Sequence, residues 1–280
     1  MELAFGERTW VMGIINVTPD SFSGDGLAAN GTSGAQVVTA AVERGGSFVA
    51  AGARLIDVGG ESTRPRQFYG ERREVTADEE RAAVVPVVAA LVTRFGERAL
   101  VSVDTWKGSV ARAALAAGAG MVNDVWAGRR DADTARAAAE HGAYLVLMHN
   151  QEVAEYDGDV VVEVIARLRE AVDAAVAAGV TPERLLVDPG IGFGKTGEHN
   201  LEILHRLGEL KAALGLPLLI GTSRKRFIGR LLDDAPPEER VEGTAATVAL
   251  AIAAGADVVR VHDVAHIART VRVADAIIRR

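Results

Sequence analysis

No cysteine occurs among the 280 residues. That absence excludes disulfides, zinc–thiolate centres and cysteine nucleophiles together, and it fits a reducing, cytoplasmic setting. No apolar stretch approaches the ~20 residues that a membrane-spanning helix requires. The opening MELAFGERTW lacks the basic and apolar regions of a signal peptide, so neither a membrane nor export is expected. Basic residues are not in excess: 31 Lys and Arg against 38 Asp and Glu give a formal charge of −7. Such a surface offers no field for a nucleic-acid backbone, although local Arg and Lys can still hold a small anion. No Ser/Gly tract, Pro-rich run or block of like charge stands out as a linker. Motifs are missing too. There is no H-E-x-x-H and no G-x-S-x-G, and Asn16-Val17-Thr18-Pro19 stands where a dinucleotide fold would carry its glycine fingerprint.

What the chain does contain is a series of eight short apolar runs, beginning near residues 10, 54, 99, 120, 143, 184, 217 and 257. They are rich in Val, Ile and Leu without alternation, the pattern of strands buried on both faces of a parallel sheet. Between them lie Ala-rich amphipathic stretches. After Asp263, the residues Val264, Ile267, Ala268, Val271, Ala274 and Ile278 recur at three and four, and Leu201, Leu204, Leu207, Leu210 and Leu214 repeat the pattern. Gly118, Gly179, Gly215 and Gly255 each stand where a helix should end before the next strand. Eight βα units across the length predict an α/β chain folded as one (β/α)8 TIM barrel spanning residues 1–280. Gly45-Gly46, inside the first helical stretch, fits no such pattern and costs about 1 kcal/mol per glycine against Ala.

Each apolar run ends in a knot of polar residues. In α/β barrels the carboxyl ends of the strands are where ligands bind and react. The first knot, Asn16–Gly26, combines an amide, carboxylates and hydroxyls that suit a hard cation such as Mg²⁺, on a loop that could serve as a lid. The second, Asp57–Pro65, carries two glycines and Arg64, which can fork onto an anion; Asp57 could instead cap neighbouring backbone. Asp104–Lys107 and Asn123–Val125 add short polar side chains at the same mouth. Asp188–Thr196 tempts one toward a phosphate loop, but the required first glycine is Pro189, so it reads as a rigid turn fixing Asp188. Ser223-Arg224-Lys225-Arg226 is the main cationic cluster, and Arg260-Val261-His262 follows from the eighth run, where barrels often hold phosphate. His262 and His266 form a lone i,i+4 pair without a third zinc ligand; His141, His199, His205 and His266 read as surface or rim residues.

Taken in order, Asn16–Phe22, Asp57–Pro65, Ser102–Lys107, Asn123–Val125, Leu147–His149, Asp188–Thr196 with Asn200, Gly221–Gly229 and Arg260–Val264 resemble the dihydropteroate synthase family of folate biosynthesis. The resemblance spans nearly the whole chain. It implies a transferase, usually a homodimer of barrels, that joins 6-hydroxymethyl-7,8-dihydropterin pyrophosphate to 4-aminobenzoate and releases pyrophosphate with Mg²⁺. By that resemblance Asp104, Asn123, Asp188 and Lys225 take the pterin edge and Met148 packs on its face. Asn16 (through Mg²⁺), Thr63, Arg64, Arg260 and His262 take the pyrophosphate. Asp20, Ser21 and Phe22 with Thr63, Arg64 and Pro65 form the aminobenzoate pocket, and Lys225, Asp104, Arg260 and His262 carry the chemistry. The chain departs from the family pattern at Ser23–Gly26, at the charged insertion Arg66–Arg73 and at Arg226, all on the aminobenzoate side. Two other readings share the pterin carboxylates: a non-catalytic pterin-binding paralogue and the pterin domain of a corrinoid-dependent methyltransferase. Neither has a use for Asn16, Arg64, Lys225, Arg260 and His262 together.

Overall fold

All eight apolar runs are strands, and all pair in parallel. They are β1 (Trp10–Asn16), β2 (Leu55–Gly59), β3 (Leu100–Asp104), β4 (Met121–Asp124), β5 (Tyr144–Met148), β6 (Leu185–Asp188), β7 (Leu219–Ile220) and β8 (Val258–Val261). The computed structural model describes residues 1–18, 27, 33–61 and 74–279. Strand order runs β6-β5-β4-β3-β2-β1-β8-β7, so β1 pairs with both β2 and β8. The circle closes through one bridge, Val187 to Leu218, where the Val187 N–H donates to the Pro217 carbonyl at 2.9 Å. The expected barrel is therefore present.

Helices cover the outside. Those used below are α1 (Gly34–Ala51), α2 (Ala77–Phe95), α3 (Gly108–Ala116), α4 (Asp133–His141), α5 (Val160–Ala177), α6 (Gly197–His205), α7 (Leu207–Leu214), α8 (Arg226–Leu231), α9 (Val241–Ala253) and α10 (Val264–Ile278). Ser33 and Thr76 start α1 and α2 with reciprocal capping boxes. Gly118, Gly179, Gly215 and Gly255 all take positive φ at helix ends, as their spacing predicted. The leucine stripe 201–214 does not form one helix. It breaks at Arg206, whose backbone leaves helical geometry (φ −100°, ψ 22°), while its guanidinium binds Glu209, Glu202 and Asp159.

Two layers of packing follow from the strand period of two. One set of side chains, including Met12, Leu55, Met121, Val146, Leu186 and Leu219, fills the barrel interior. The alternate set, including Ile15, Ile56, Val103 and Val122, meets the helices. Each such large side chain stabilises by about 1.5–3 kcal/mol relative to exposure. Gly45 faces α2 closely: a Cβ there would lie 2.7 Å from Leu91 Cδ2, so any larger residue would force the Leu91 side chain to shift. No helix among the described residues is long and apolar enough to cross a membrane.

Candidate active site

Strand register sets the site. Asn16 pairs with Gly59, Gly59 with Asp104, and Asp104 with Asn123, so four strand ends stand at one level around the mouth. Inside this ring Arg260 is the hub. Its Nε donates to Asp57 Oδ2 at 2.6 Å and its Nη2 to Asp104 Oδ2 at 2.7 Å. Asn123 Nδ2 donates to the same Asp57 oxygen at 3.0 Å. Asp57 thus holds side chains from β4 and β8 instead of capping local backbone. The second oxygens of Asp57 and Asp104 are buried without a hydrogen-bond partner. A buried acceptor left unpaired costs about 1–3 kcal/mol, which marks these two oxygens as places for a ligand's donors. Burial pushes the Asp104 carboxyl up to about 8; Arg260 pulls it down, and Asp57 adds to the rise. For Arg260, burial opposes the charge, but Asp57 and Asp104 outweigh it and hold the guanidinium above its usual range.

Asp188 ends β6 opposite Met148 of β5. Burial raises its carboxyl above the usual range, against the opposing pull of Lys225 and of the Gly190 N–H, which donates to Oδ1 at 2.7 Å. The following segment is the rigid turn that the sequence suggested. Gly190, Gly192 and Gly194 all have positive φ, and a Cβ on Gly190 would sit 1.8 Å from the His149 carbonyl oxygen, so only glycine fits. Asn200 Oδ1 accepts from Gly192 N at 2.6 Å, and Tyr156 donates to the Gly194 carbonyl at 2.9 Å. Lys225 reaches over this turn: its Nζ donates to the Ile191 carbonyl and lies 4.6 Å from the Phe193 ring centroid. Lys225 and Asp188 therefore share one wall.

The cationic cluster after β7 divides. Arg224 forks onto Asp263 (2.9 and 2.6 Å), so it fastens the start of α10, while Lys225 faces the mouth and Arg226 is exposed. Ser223 Oγ accepts from the His262 N–H at 3.1 Å and lies 3.0 Å from His262 Nδ1, which sets the imidazole beside the barrel rim. Asp124 turns away from the site. It accepts from Trp126 N, Gly128 N and Thr134 Oγ1 at 2.7–2.8 Å, and burial raises it to about 6. Asn123 and Asp124 separate because adjacent strand residues face opposite sides.

Asn16, Asp104, Asn123, Met148, Asp188, Lys225, Arg260 and His262 all come to the carboxyl end of the barrel. Asp20, Ser21, Phe22, Thr63, Arg64 and Pro65, with the insertion Arg66–Arg73, lie outside the described residues. Two buried pairings, between residues that mostly lie in the named stretches, were not foreseen from sequence. Lys107 Nζ bridges Glu61 at 2.8 Å and Glu80 at 2.5 Å, and Trp106 Nε1 adds a bond to Glu61 at 3.1 Å. Burial raises Glu80 despite Lys107, and the two carboxylates raise Lys107 against its own burial. Glu80 begins the apolar register Val84, Val87, Val88, Leu91 and Phe95 of α2, so a charge standing on a core stripe was the available signal. The second group is Lys195 with His149, joined Nζ to Nδ1 at 2.9 Å.

Among the described residues no three His, Cys, Asp or Glu side chains cluster as metal ligands. Asn16 brings one amide oxygen to the mouth, at the level of Gly59. Gly59 lies beside both Asn16 and Asp104: a Cβ there would be 3.7 Å from Asn16 Oδ1 and 3.6 Å from Asp104 Oδ2, ordinary contact distances.

Residues 12–262 match the family model described as pterin binding enzyme. The chain is 45% identical to a dihydropteroate synthase of Bacillus subtilis over 278 residues, covering 99% of this chain and 92% of that protein. A dihydropteroate synthase structure from Clostridium difficile, obtained in the presence of pteroic acid, superposes with a TM-score of 0.90 at 42% identity, covering 99% of this chain and 100% of that one. One from Xanthomonas albilineans with 4-aminobenzoic acid gives 0.86 at 44% identity, covering 97% and 94%. With a fold shared along almost the entire length, and polar residues meeting at the strand ends inside the matched span, the chain belongs to the family of pterin-binding enzymes whose curated relatives are dihydropteroate synthases.

Proposed function

We propose that the chain is a dihydropteroate synthase, condensing 6-hydroxymethyl-7,8-dihydropterin pyrophosphate with 4-aminobenzoate. The observation that carries the reading is the convergence of Asp104, Asn123, Asp188 and Lys225 with Arg260 and His262 at one mouth, beside two buried carboxylate oxygens without partners. Acceptors and amides suit the donor-rich edge of an aminopyrimidinone; Met148 offers an apolar face to its ring. Lys225, Arg260 and His262 meet the anionic leaving group, with Thr63 and Arg64 contributing from the second loop. Asp20, Ser21 and Phe22 with Thr63–Pro65 form the aminobenzoate side.

In the reaction the arylamine nitrogen attacks the pterin methylene carbon. A C–N bond forms, the C–O bond to pyrophosphate breaks, and the amine proton passes to solvent. An arylamine is already nucleophilic, so stabilising the departing charge is the main demand on the protein. Mg²⁺ fits here because it keeps several waters and binds substrate phosphates, needing few protein donors. Asn16 would hold it, and when bound the ion neutralises leaving-group charge. The protein acts as a homodimer in the cytoplasm in this reading. Leu250 of α9 with Val273 and Ile277 of α10 supply exposed apolar surface (71, 63 and 61% exposed) on neighbouring helices for the second copy. Turnover with both substrates, followed as Mg²⁺-dependent pyrophosphate release, tests the assignment. Pterin binding without release would instead assign the chain to the non-catalytic paralogues.

A further inference from the structure

Lys195 is 2% exposed, and its hydrogen bonds go to two uncharged acceptors: His149 Nδ1 at 2.9 Å and the Phe193 carbonyl at 3.0 Å. Accepting at Nδ1 leaves the imidazole neutral, its proton on Nε2. Burial holds His149 down at about 2, with Lys195 and Arg129 adding to the effect. Neither acceptor compensates a buried ammonium, whose desolvation costs several kcal/mol. The opposite charge that does face it is Asp188, across the Gly190 turn. A Cβ on Gly190 would lie 3.4 Å from Nζ, and the Gly190 N–H donates to Asp188 Oδ1 at 2.7 Å, so the ammonium and the carboxylate flank the same backbone unit.

We propose that Lys195 is a positioning residue that acts through Asp188, keeping that carboxylate ionised as an acceptor for the pterin while pinning the Gly190–Gly194 turn to His149. Asp188 is faced by Lys225, Lys195, Arg260 and the Gly190 N–H; Lys195 is faced by Asp188, Lys225 and His149; His149 is faced by Lys195, Arg129 and Arg167. Burial brings Lys195 to about 7, with Lys225 adding and Asp188 opposing, so below that pH the ammonium is charged. Removing it takes a positive neighbour from Asp188, which must then protonate at higher pH. A neighbouring opposite charge favours the ionised carboxylate and lowers its pKa, typically by about one unit or more.

The proposal rests on reading Asp188 as a pterin acceptor, and three variants separate the two claims. Binding of 7,8-dihydropteroate is measured by calorimetry between pH 4.5 and 7 on intact protein, with circular dichroism as the fold control. Lys195→Met is expected to move the acid limb of binding upward by about one pH unit and to weaken binding at least tenfold at pH 6. His149→Gln, which keeps the lysine charge, is expected to weaken binding while leaving the acid limb in place. A folded Lys195→Met with the wild-type limb overturns the proposal. Should Lys195→Met fail to fold, Lys195→Gln is read in its place by the same criterion. Wild-type affinity in Asp188→Asn would instead refute the acceptor reading itself.

Discussion

Replacing Arg260 with methionine keeps the bulk of the side chain and deletes the charge that two buried carboxylates share. Each guanidinium–carboxylate contact, with charge centres about 4 Å apart, is worth roughly 4 kcal/mol at an effective dielectric near 20. The variant no longer buries the guanidinium, which offsets part of that loss. Breaking a buried ion pair from one side nets about 3–5 kcal/mol, and we expect that loss at pH 8.5. The pH dependence has a definite sign. Asp104 already titrates at about 8 in the folded chain with Arg260 pulling it down, so removing Arg260 raises it further. From the ordinary aspartate range near ~4 upward to that folded value, the native state holds a proton that the unfolded chain has released. Stability therefore falls as pH rises through the window, which reaches to higher pH in the variant. At pH 5.5, where a neutral Asp104 has less need of the guanidinium, the cost should be clearly smaller. Urea unfolding followed by far-ultraviolet circular dichroism at the two pH values measures both. Adding Asp104→Asn should restore part of the stability without restoring turnover. Equal losses at both pH values, or a loss under ~1 kcal/mol at pH 8.5, would refute the picture of one cation neutralising two buried acids.

Lys225→Ala should lower kcat/KM by about 10²–10³ with an unchanged unfolding midpoint, since the side chain ends on the Ile191 carbonyl at the mouth; a large midpoint drop would make it structural. Lys107→Met should cost about 3–5 kcal/mol in chemical denaturation, because Glu61 and Glu80 lose their shared partner. Gly190→Ala should weaken pterin binding in calorimetry by at least tenfold, because positive φ and the His149 carbonyl both oppose a Cβ. Shortening the Arg66–Arg73 insertion should change the KM for aminobenzoate more than that for the pterin substrate, and equal effects on both would contradict its placement on the aminobenzoate side.

The strands were legible because a β-strand buried on both faces leaves an uninterrupted apolar run, and the run ends named the mouth directly. The seventh was the least complete: of Pro217–Ile220, Leu219–Ile220 forms the strand and Leu218 makes a lone bridge. Proline has no N–H to give the ladder. The break at Arg206 was hidden because leucines on both sides keep helical spacing through a residue whose backbone has left the helix. Asp104, Asn123, Asp188 and Arg260 could be placed at the mouth from position alone, but not the partnership of Asp57 with Arg260, which joins residues 203 apart in sequence. Pairings of that kind depend on strand order, and no local pattern records it. Lys195 was masked by a motif comparison. Rejecting a phosphate loop accounted for the glycines alone, and the burial of Lys195 depends on His149, a residue 46 positions away that no local pattern pairs with it.

The lone bridge between Val187 and Leu218 gives the cylinder a seam. Every other strand boundary is stitched by a ladder of two or more paired positions. Just past that seam, on its two lips, stand Asp188 and the Thr222–Lys225 turn. Pairing is thus thinnest between the strands that lead to Asp188 and Lys225, and amide exchange should find its fastest-opening strand amides along that line.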